Sequence, residues 1–505
     1  MPGTENLEVE RKFDVGWSVA LPALTTIAGV DHAGTPSDQT LDAVYFDTAT
    51  LALAARRITL RRRTGGKDAG WHLKLPVAAG ERREIKEPLN RELDSVPLRL
   101  KQLVLAHTRN QELVAVAHLT TRRTAIPLVA ADGTVLAEFS DDRVESRILL
   151  EPVDNASWRE WEIELIDGRR KLLDAAGMVF AQAGHLPAEL PSKLARALGA
   201  RYPAGTNPAP EPRRKGDASA VLLWYMHAQV EALKAHDPGV REGARDAIHQ
   251  LRVAARRMRS VLASFRKLTD KGTTQFLRGE LKWLAGAVGA ARDLEVMRTH
   301  LNDLISAEPP DLIIGPVKQN IEAQLGAAYE AALTEGLAAM TGDRYFRLLD
   351  ALDDFLASPL QGEPADKEAP GTIARLVNAE RKRLRRAVKG LDEMPDEASL
   401  DAALHEVRKS AKRLRYAAEA ALPIFGKRGA KLARTAEEIQ TILGDHQDSV
   451  VLREKLRSLA TESREGGEGN EFTYGRLHAL EQERGADART RFFRAWRQSP
   501  PRSLH

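Results

Sequence analysis

Glu8, Glu10 and Lys12 alternate with Leu7, Val9 and Arg11 in the opening run Leu7–Phe13. On a β-strand, residues two apart share a face, so the two carboxylates and the ammonium project together. Two aligned carboxylates can hold one hard cation, and a lysine one step further can meet a phosphate that the cation bridges. The same parity recurs downstream. Arg61 shares a face with Arg63, His72 with Lys74, and Glu160 with Glu162 and Glu164, the last three backed by Trp161, Ile163 and Leu165. Strand after strand therefore has one charged side, some cationic and some anionic. Turned outward, such sides make an ordinary sandwich; turned inward, they make a barrel with a wet, charged lumen.

A second constellation is duplicated. His249, Arg252, Arg256, Arg257 and Arg259 recur 156 residues later as His405, Arg408, Lys412, Arg413 and Arg415. At about 100° per residue, His, +3, +7 and +10 fall on one face of an α-helix. The opposite face is apolar in both copies: Leu251, Ala255, Met258 and Leu262 match Val407, Ala411, Leu414 and Ala418. Further on, Gly289–Asp293 matches Gly444–Asp448, which predicts a Gly/Asp turn in each copy. Two cationic helix faces produced by an internal repeat point to a polyanion.

The elements that must position these residues change character near residue 203. Before it, alternating runs at 7–13, 43–47, 58–63, 71–75, 136–140 and 161–165 predict strands, and a helical pattern follows at 169–183. Residues 204–218 form a Pro-rich linker, and from 219 to 498 long 3.6-period runs rich in Ala, Leu, Arg and Glu predict helix bundles. Residues 499–505 are a tail, in which Ser499-Pro500-Pro501-Arg502 is expected to be disordered. The 505 residues thus divide into a tunnel domain at 1–203 and a helical domain at 219–498, an α+β multidomain chain.

Composition narrows the chemistry. The chain has no cysteine, which excludes disulfides and thiolate metal sites and leaves carboxylates and imidazoles for hard cations such as Mg²⁺ or Mn²⁺. Net charge is only +4, so patches rather than bulk charge must do any binding. There is neither a secretory leader pattern nor an apolar run of about 18 residues, so a cytoplasmic protein without a membrane partner is expected.

Over residues 5–200 the order of motifs resembles the CYTH family, the triphosphate tunnel metalloenzymes. It comprises the Glu8-x-Glu-x-Lys12 opening, the Arg61-x-Arg63 strand, Leu73-Lys74, Thr121-Arg-Arg, a late Asp, Glu162-x-Glu164 and Ser192-Lys193. The resemblance implies an N-terminal antiparallel β-barrel tunnel. It also implies metal ligation by Glu8, Glu10, Asp142, Glu162 and Glu164, and triphosphate contacts from Lys12, Arg61, Arg63, Lys74, Arg122 or Arg123, and Lys193. Catalysis would then centre on Glu8, Glu10, Lys12, Glu162 and Glu164. Only one of Arg122 and Arg123 can face the lumen of a regular strand, and the sequence leaves the choice open. Asp142 is preferred to Asp141 because it shares parity with Glu138. Lys86 stands where related sequences often have an acid, which leaves the role of Glu84 open.

Residues 219–500 resemble the CHAD family, the conserved-histidine α-helical domain, which implies two pseudo-symmetric four-helix bundles. It also implies polyphosphate binding by His249, Arg252, Arg256, Arg259, His405, Arg408, Lys412 and Arg415. Metal chelation by His249 and His405 is the weaker reading, since each lies among arginines that repel a cation. A CYTH domain fused to a CHAD domain implies an inorganic triphosphatase acting on tripolyphosphate, able to bind long-chain polyphosphate and to associate with polyphosphate granules. Two alternatives are a non-catalytic polyphosphate receptor and an enzyme acting on an organic triphosphate. With aromatics at only 5% and no base-reading motif, no specific nucleic-acid partner is expected.

Overall fold

The computed structural model describes residues 4–78, 80–90, 95–205, 209–358, 360–465 and 470–505. The chain forms two compact units, Met1–Asn207 and Pro208–His505.

Among the described residues the first unit is built on nine strands: β1 (Thr4–Val15), β2 (His32–Ala33), β3 (Ser37–Asp47), β4 (Thr59–Thr64), β5 (Gly70–Ala78), β6 (Glu81–Glu87), β7 (Val114–Val129), β8 (Val135–Ile148) and β9 (Asn155–Leu165). All pair antiparallel in the order β7-β3-β4-β5-β6-β1-β9-β8, and β8 pairs back to β7, which closes an eight-stranded barrel; β2 is a short addition beside β7. The helices are α1 (Leu98–Leu103), α2 (Leu105–Thr108), α3 (Arg170–Gln182) and α4 (Lys193–Leu198).

Which side of each strand faces in is decided by aromatic burial. Phe13, Phe139, Trp161 and Ile163 are fully buried on the outside of the barrel, where Leu172, Leu173, Ala176 and Phe180 of α3 cover them. Phe13 and Phe180 meet edge to face with centroids 4.7 Å apart. Covering that face removes its apolar surface from water, and truncating a ring such as Phe180 is expected to cost about 3–5 kcal/mol. Arg11 also lies outside and donates to the Leu173 carbonyl at 2.8 Å. Because the side-chain period is two, Glu8, Glu10, Lys12, Glu162 and Glu164 are left facing the lumen.

The second unit holds ten α-helices among the described residues: α5 (Ala218–Arg241), α6 (Ala247–Ser264), α7 (Lys271–Ala287), α8 (Gly289–Ala307), α9 (Val317–Ala339), α10 (Asp343–Ala357), α11 (Ala369–Lys389), α12 (Glu397–Ala420), α13 (Leu422–Glu465) and α14 (Glu471–Gln498). The repeat maps α6 onto α12, α7 with α8 onto α13, and α9 onto α14. Each bundle draws on both copies. One consists of α5, α6, α11 and α12. The other packs Leu301, Ile305, Val317 and Ile321 of α8 and α9 against Leu452, Leu456, Tyr474 and Leu477 of α13 and α14. The apolar sides of both stripes, Leu251 to Leu262 and Val407 to Ala418, contain the fully buried residues expected of them.

Two expectations need correction. The second Gly/Asp segment is no turn: Gly444–Asp448 lies inside α13, whereas the first marks the break between α7 and α8. The tail is ordered. Leu504 is buried and exchanges hydrogen bonds with the Asn378 side chain at 2.8 and 3.1 Å, and Arg428 donates to the His505 carbonyl at 3.0 Å. A Pro-rich composition argued for disorder, and an apolar side chain with an amide partner overrode it. Among the described residues, no helix is long and apolar enough to cross a membrane.

Candidate functional site

The barrel encloses a cavity of about 450 Å³. Its walls carry Glu8, Glu10 and Lys12 of β1, Arg61 and Arg63 of β4, Lys74 of β5, Arg123 of β7, and Glu162 and Glu164 of β9, with Lys193 entering from α4. In the ring of strands β4 stands four places from β9, so the Arg61/Arg63 wall faces the acidic wall across the lumen.

Register brings the acids together. Glu10 lies opposite Glu164 and Lys12 opposite Glu162 in the β1–β9 ladder, while Glu138 lies opposite Glu164 in the β8–β9 ladder. Lys12 Nζ bonds Glu10 at 2.9 Å and also pairs with Glu162. Although burial opposes its charge, Lys12 helps to draw Glu10 down to about 2. On the next strands, Lys74 Nζ reaches Glu8 at 2.6 Å and Glu84 at 3.7 Å. Glu84 is thus a buried wall residue of the tunnel, bonded to His72 at 2.9 Å.

Lys193 lines the cavity and is also held by acids. Its ammonium lies 2.8 Å from Asp142, 2.8 Å from Glu160 and 2.6 Å from Glu162. These three carboxylates are buried, with oxygens within 4.8 Å of one another, a geometry that could hold a metal ion. Lys193 places its ammonium among them, supported by Arg123, which bonds Asp142 at 2.6 and 2.8 Å and Glu162 at 2.7 Å. Burial alone would raise Asp142 and Glu162, but Lys193 and Arg123, with Lys12 on Glu162, hold both below the usual carboxylate range. Local geometry fixes the lysine. Ser192 caps α4 by accepting from the Ala195 amide at 3.1 Å, the Ala188 amide bonds the Lys12 carbonyl at 2.9 Å, and Arg82 donates to the Pro191 carbonyl.

The remaining acids behave differently. Glu164 is open to the water of the lumen yet walled by protein atoms. That enclosure, followed by the charges of Glu8, Glu10 and Glu162, raises it to about 7. Crowded hard-oxygen donors of this kind fit a divalent cation, which relieves their mutual repulsion. Glu8, Glu10 and Glu164 line this part of the lumen and could supply such donors.

Arg123 faces the lumen, whereas Arg122 is exposed and absent from the tunnel wall. Asp142 points inward and is completely buried behind Arg123 and Lys193; Asp141 points outward and forms a paired salt bridge with Arg159 at 2.8 Å. Parity reasoning missed Tyr45, Arg82 and Glu138 as wall residues. Tyr45 accepts from Arg61 at 3.3 Å, and that guanidinium holds the phenol below its ordinary range although burial opposes it. The inward parity of Ala43 and Tyr45 on β3 was the available signal for this tyrosine.

In the helical unit, α6 packs on α12 and the two stripes meet in part. Burial, then the adjacent Arg408 and Arg256, pull Lys412 down to about 7, with Arg252 adding to the effect. These four cations therefore share one field. Asp293 holds Arg252 at 2.8 Å. Arg415 leaves the group, because Glu419 at 2.7 Å and Glu437 at 2.9 Å neutralise it. Arg259 is half-buried beside Arg278. Burial, then neighbouring cations, hold both His249 and His405 below the ordinary histidine value.

Comparison with known proteins agrees with this architecture. The CYTH domain model matches residues 6–198 and the CHAD domain model residues 225–457. Two uncharacterized proteins of Mycobacterium tuberculosis, from the CDC 1551 and H37Rv strains, are each 41% identical over 493 residues, covering 94% of this chain and 93% of theirs. Among solved structures, PptA from Streptomyces chartreusis aligns at 23% identity and a TM-score of 0.45, covering 56% of this chain and 99% of its own. The CHAD domain of the plant Ricinus communis aligns at 23% and 0.47, covering 60% and 100%. The two domain models and the 41% identical relatives lead to one conclusion: the chain belongs to the family that joins a CYTH domain, of the triphosphate-tunnel enzymes, to a CHAD domain.

Proposed function

We propose that the barrel hydrolyses inorganic tripolyphosphate with Mg²⁺ or Mn²⁺ and that the helical unit binds long-chain polyphosphate. One observation carries the first half: an arginine wall on β4 facing a carboxylate wall on β1 and β9 across a single cavity. A linear polyanion laid between them meets Arg61 and Arg63 on one side. On the other, Glu8, Glu10 and Glu164 would hold a divalent cation, which would supply charge neutralisation for the phosphates. Arg61 is directed by Tyr45 rather than by an acid, so its charge is available to substrate. Lys12 and Lys193 keep Glu162 ionised and the β9 edge fixed. Tyr45 is the one aromatic among the described wall residues, which disfavours stacking of a nucleobase or thiazolium ring.

For the second half, the field shared by Arg252, Arg256, Arg408 and Lys412 supports a polyanion, and the same cations around His249 and His405 disfavour metal chelation there.

The test is phosphate release from tripolyphosphate, pyrophosphate, long-chain polyphosphate, ATP and thiamine triphosphate, each with Mg²⁺, Mn²⁺ or Ca²⁺. Tripolyphosphate should be the preferred substrate. A preference for ATP or thiamine triphosphate, or no release from any of the five, would overturn the proposal.

A further inference from the structure

The hairpin joining β4 to β5 bends over the tunnel beside Arg63, the last inward side chain of β4. Its path is fixed by two glycines in the left-handed region, Gly65 at φ 77° and Gly66 at φ 71°. A Cβ on Gly65 would stand 2.2 Å from the Thr40 carbonyl oxygen, and one on Gly66 would stand 2.6 Å from Leu41 Cδ2, so the loop lies flush on β3. Beyond this turn Lys67 and Asp68 line the cavity.

Asp68 is anchored twice. Its carboxylate pairs with Arg63 Nη2 and lies 3.9 Å from Lys86. Its backbone carbonyl lies 2.9 Å from Nε2 of the buried His72, whose Nδ1 is 2.9 Å from Glu84. A carbonyl only accepts, so the Nε2–H tautomer of His72 donates to Asp68 and ties the loop to the barrel wall. Held from one side, Arg63 keeps its Nε without a partner.

We infer that Asp68 is a length gate, which orients Arg63 toward the lumen and sets a carboxylate across the path of any phosphate chain extending beyond it. This rests on the tunnel binding linear phosphates, and it adds the property that closes one end. A terminal phosphate can take the free edge of Arg63, while a chain with one more phosphate must bring that group against the carboxylate. Like charges in contact at a partly desolvated rim oppose binding strongly. The ligand class excluded is therefore linear inorganic phosphate longer than the triphosphate.

The experiment uses the full chain and its Asp68→Asn and Asp38→Asn variants. Asp38 is a second acid of the tunnel wall, bonded to Thr124 at 2.6 Å and not to an arginine. Calorimetric titration with tripolyphosphate and with tetraphosphate gives the ratio of their affinities, and kcat/KM on the same two compounds gives the ratio in turnover. Asp68→Asn should shift the binding ratio toward tetraphosphate by about tenfold, the scale of one like-charge contact at intermediate dielectric. Asp38→Asn should shift it far less. An unchanged ratio in Asp68→Asn, an equal shift in Asp38→Asn, or no binding of either compound overturns the gate. Length-selective binding that Asp68→Asn relaxes, with no phosphate release by the unaltered chain, supports the gate while overturning hydrolysis.

Discussion

Replacing Lys193 by Met removes the ammonium from a buried acidic trio while leaving most of the apolar stem in place. Its partners Asp142, Glu160 and Glu162 are at most 7% exposed. Removing one partner of a buried ion pair costs about 3–5 kcal/mol. The lower end applies here, since Arg123 remains on Asp142 and Glu162, and Lys12 remains on Glu162. Glu160 is left with the Trp158 indole N–H, at 2.6 Å, as its described polar partner. A loss of about 3 kcal/mol corresponds to roughly 150-fold faster exchange of amides in β8 and β9 that open with the barrel. Hydrogen exchange read by mass spectrometry resolves those peptides in a chain of two units. The pH dependence fixes the sign. In the unaltered chain Asp142 and Glu162 are held below their ordinary values, so their stabilisation is present above about pH 4.5 and is lost as pH falls through the native values. In the variant the uncompensated carboxylates titrate upward, so its deficit is full at pH 8 and shrinks toward pH 5. Unchanged protection at pH 8, or a deficit that grows on acidification, would refute the assignment of Lys193 as the internal cation.

Arg63→Ala should lower kcat/KM for tripolyphosphate by about tenfold or more, with KM rising as kcat falls, because the contact exists in both ground and transition states; steady-state kinetics decides it. Neutralising Arg256 and Lys412 together should weaken binding of long-chain polyphosphate and reduce the slope of log affinity against log salt by between one and two; charge-matched changes on other helices should do less, and equal losses would leave the shared groove unsupported. Asp47 accepts from the amides of Thr48, Leu53 and Ala54 at 2.7, 2.8 and 2.9 Å, so Asp47→Ala strands three buried donors. It should destabilise the segment 48–58 by at least about 2 kcal/mol, read by exchange of its amides.

Much of this was legible in the sequence because a strand's period of two ties chemistry to geometry. Trp161 and Ile163 on one parity and Glu162 and Glu164 on the other fix which side is dry, and the Phe13 parity repeats the answer on β1. The limits are equally physical. Long β7 escaped the alternation because Leu119 and Thr121 share the inward parity with Arg123, so its lumen face passes from apolar to charged along the strand. Lys193 lies on no strand. Its position among Asp142, Glu160 and Glu162 depends on a capped helix docked on the barrel, which parity along β9 could not reveal. The duplicated stripe predicted the buried and cationic helix faces, yet it could not show that Glu419 and Glu437 would neutralise Arg415. These acids come from α12 and α13, outside the repeated motif.

The central claim is that carboxylates of β1 and β9 and the cations facing them form one triphosphate-hydrolysing site. Its most direct test is the initial rate of phosphate release from tripolyphosphate, at saturating Mg²⁺ or Mn²⁺, by the unaltered chain and by Glu10→Gln and Glu164→Gln, with barrel amide exchange measured in parallel. The account predicts release by the unaltered chain and a loss of about a hundredfold or more in each variant, with exchange retained, since each change removes a hard-cation ligand and keeps its shape. Turnover at the unaltered rate in both folded variants would contradict it.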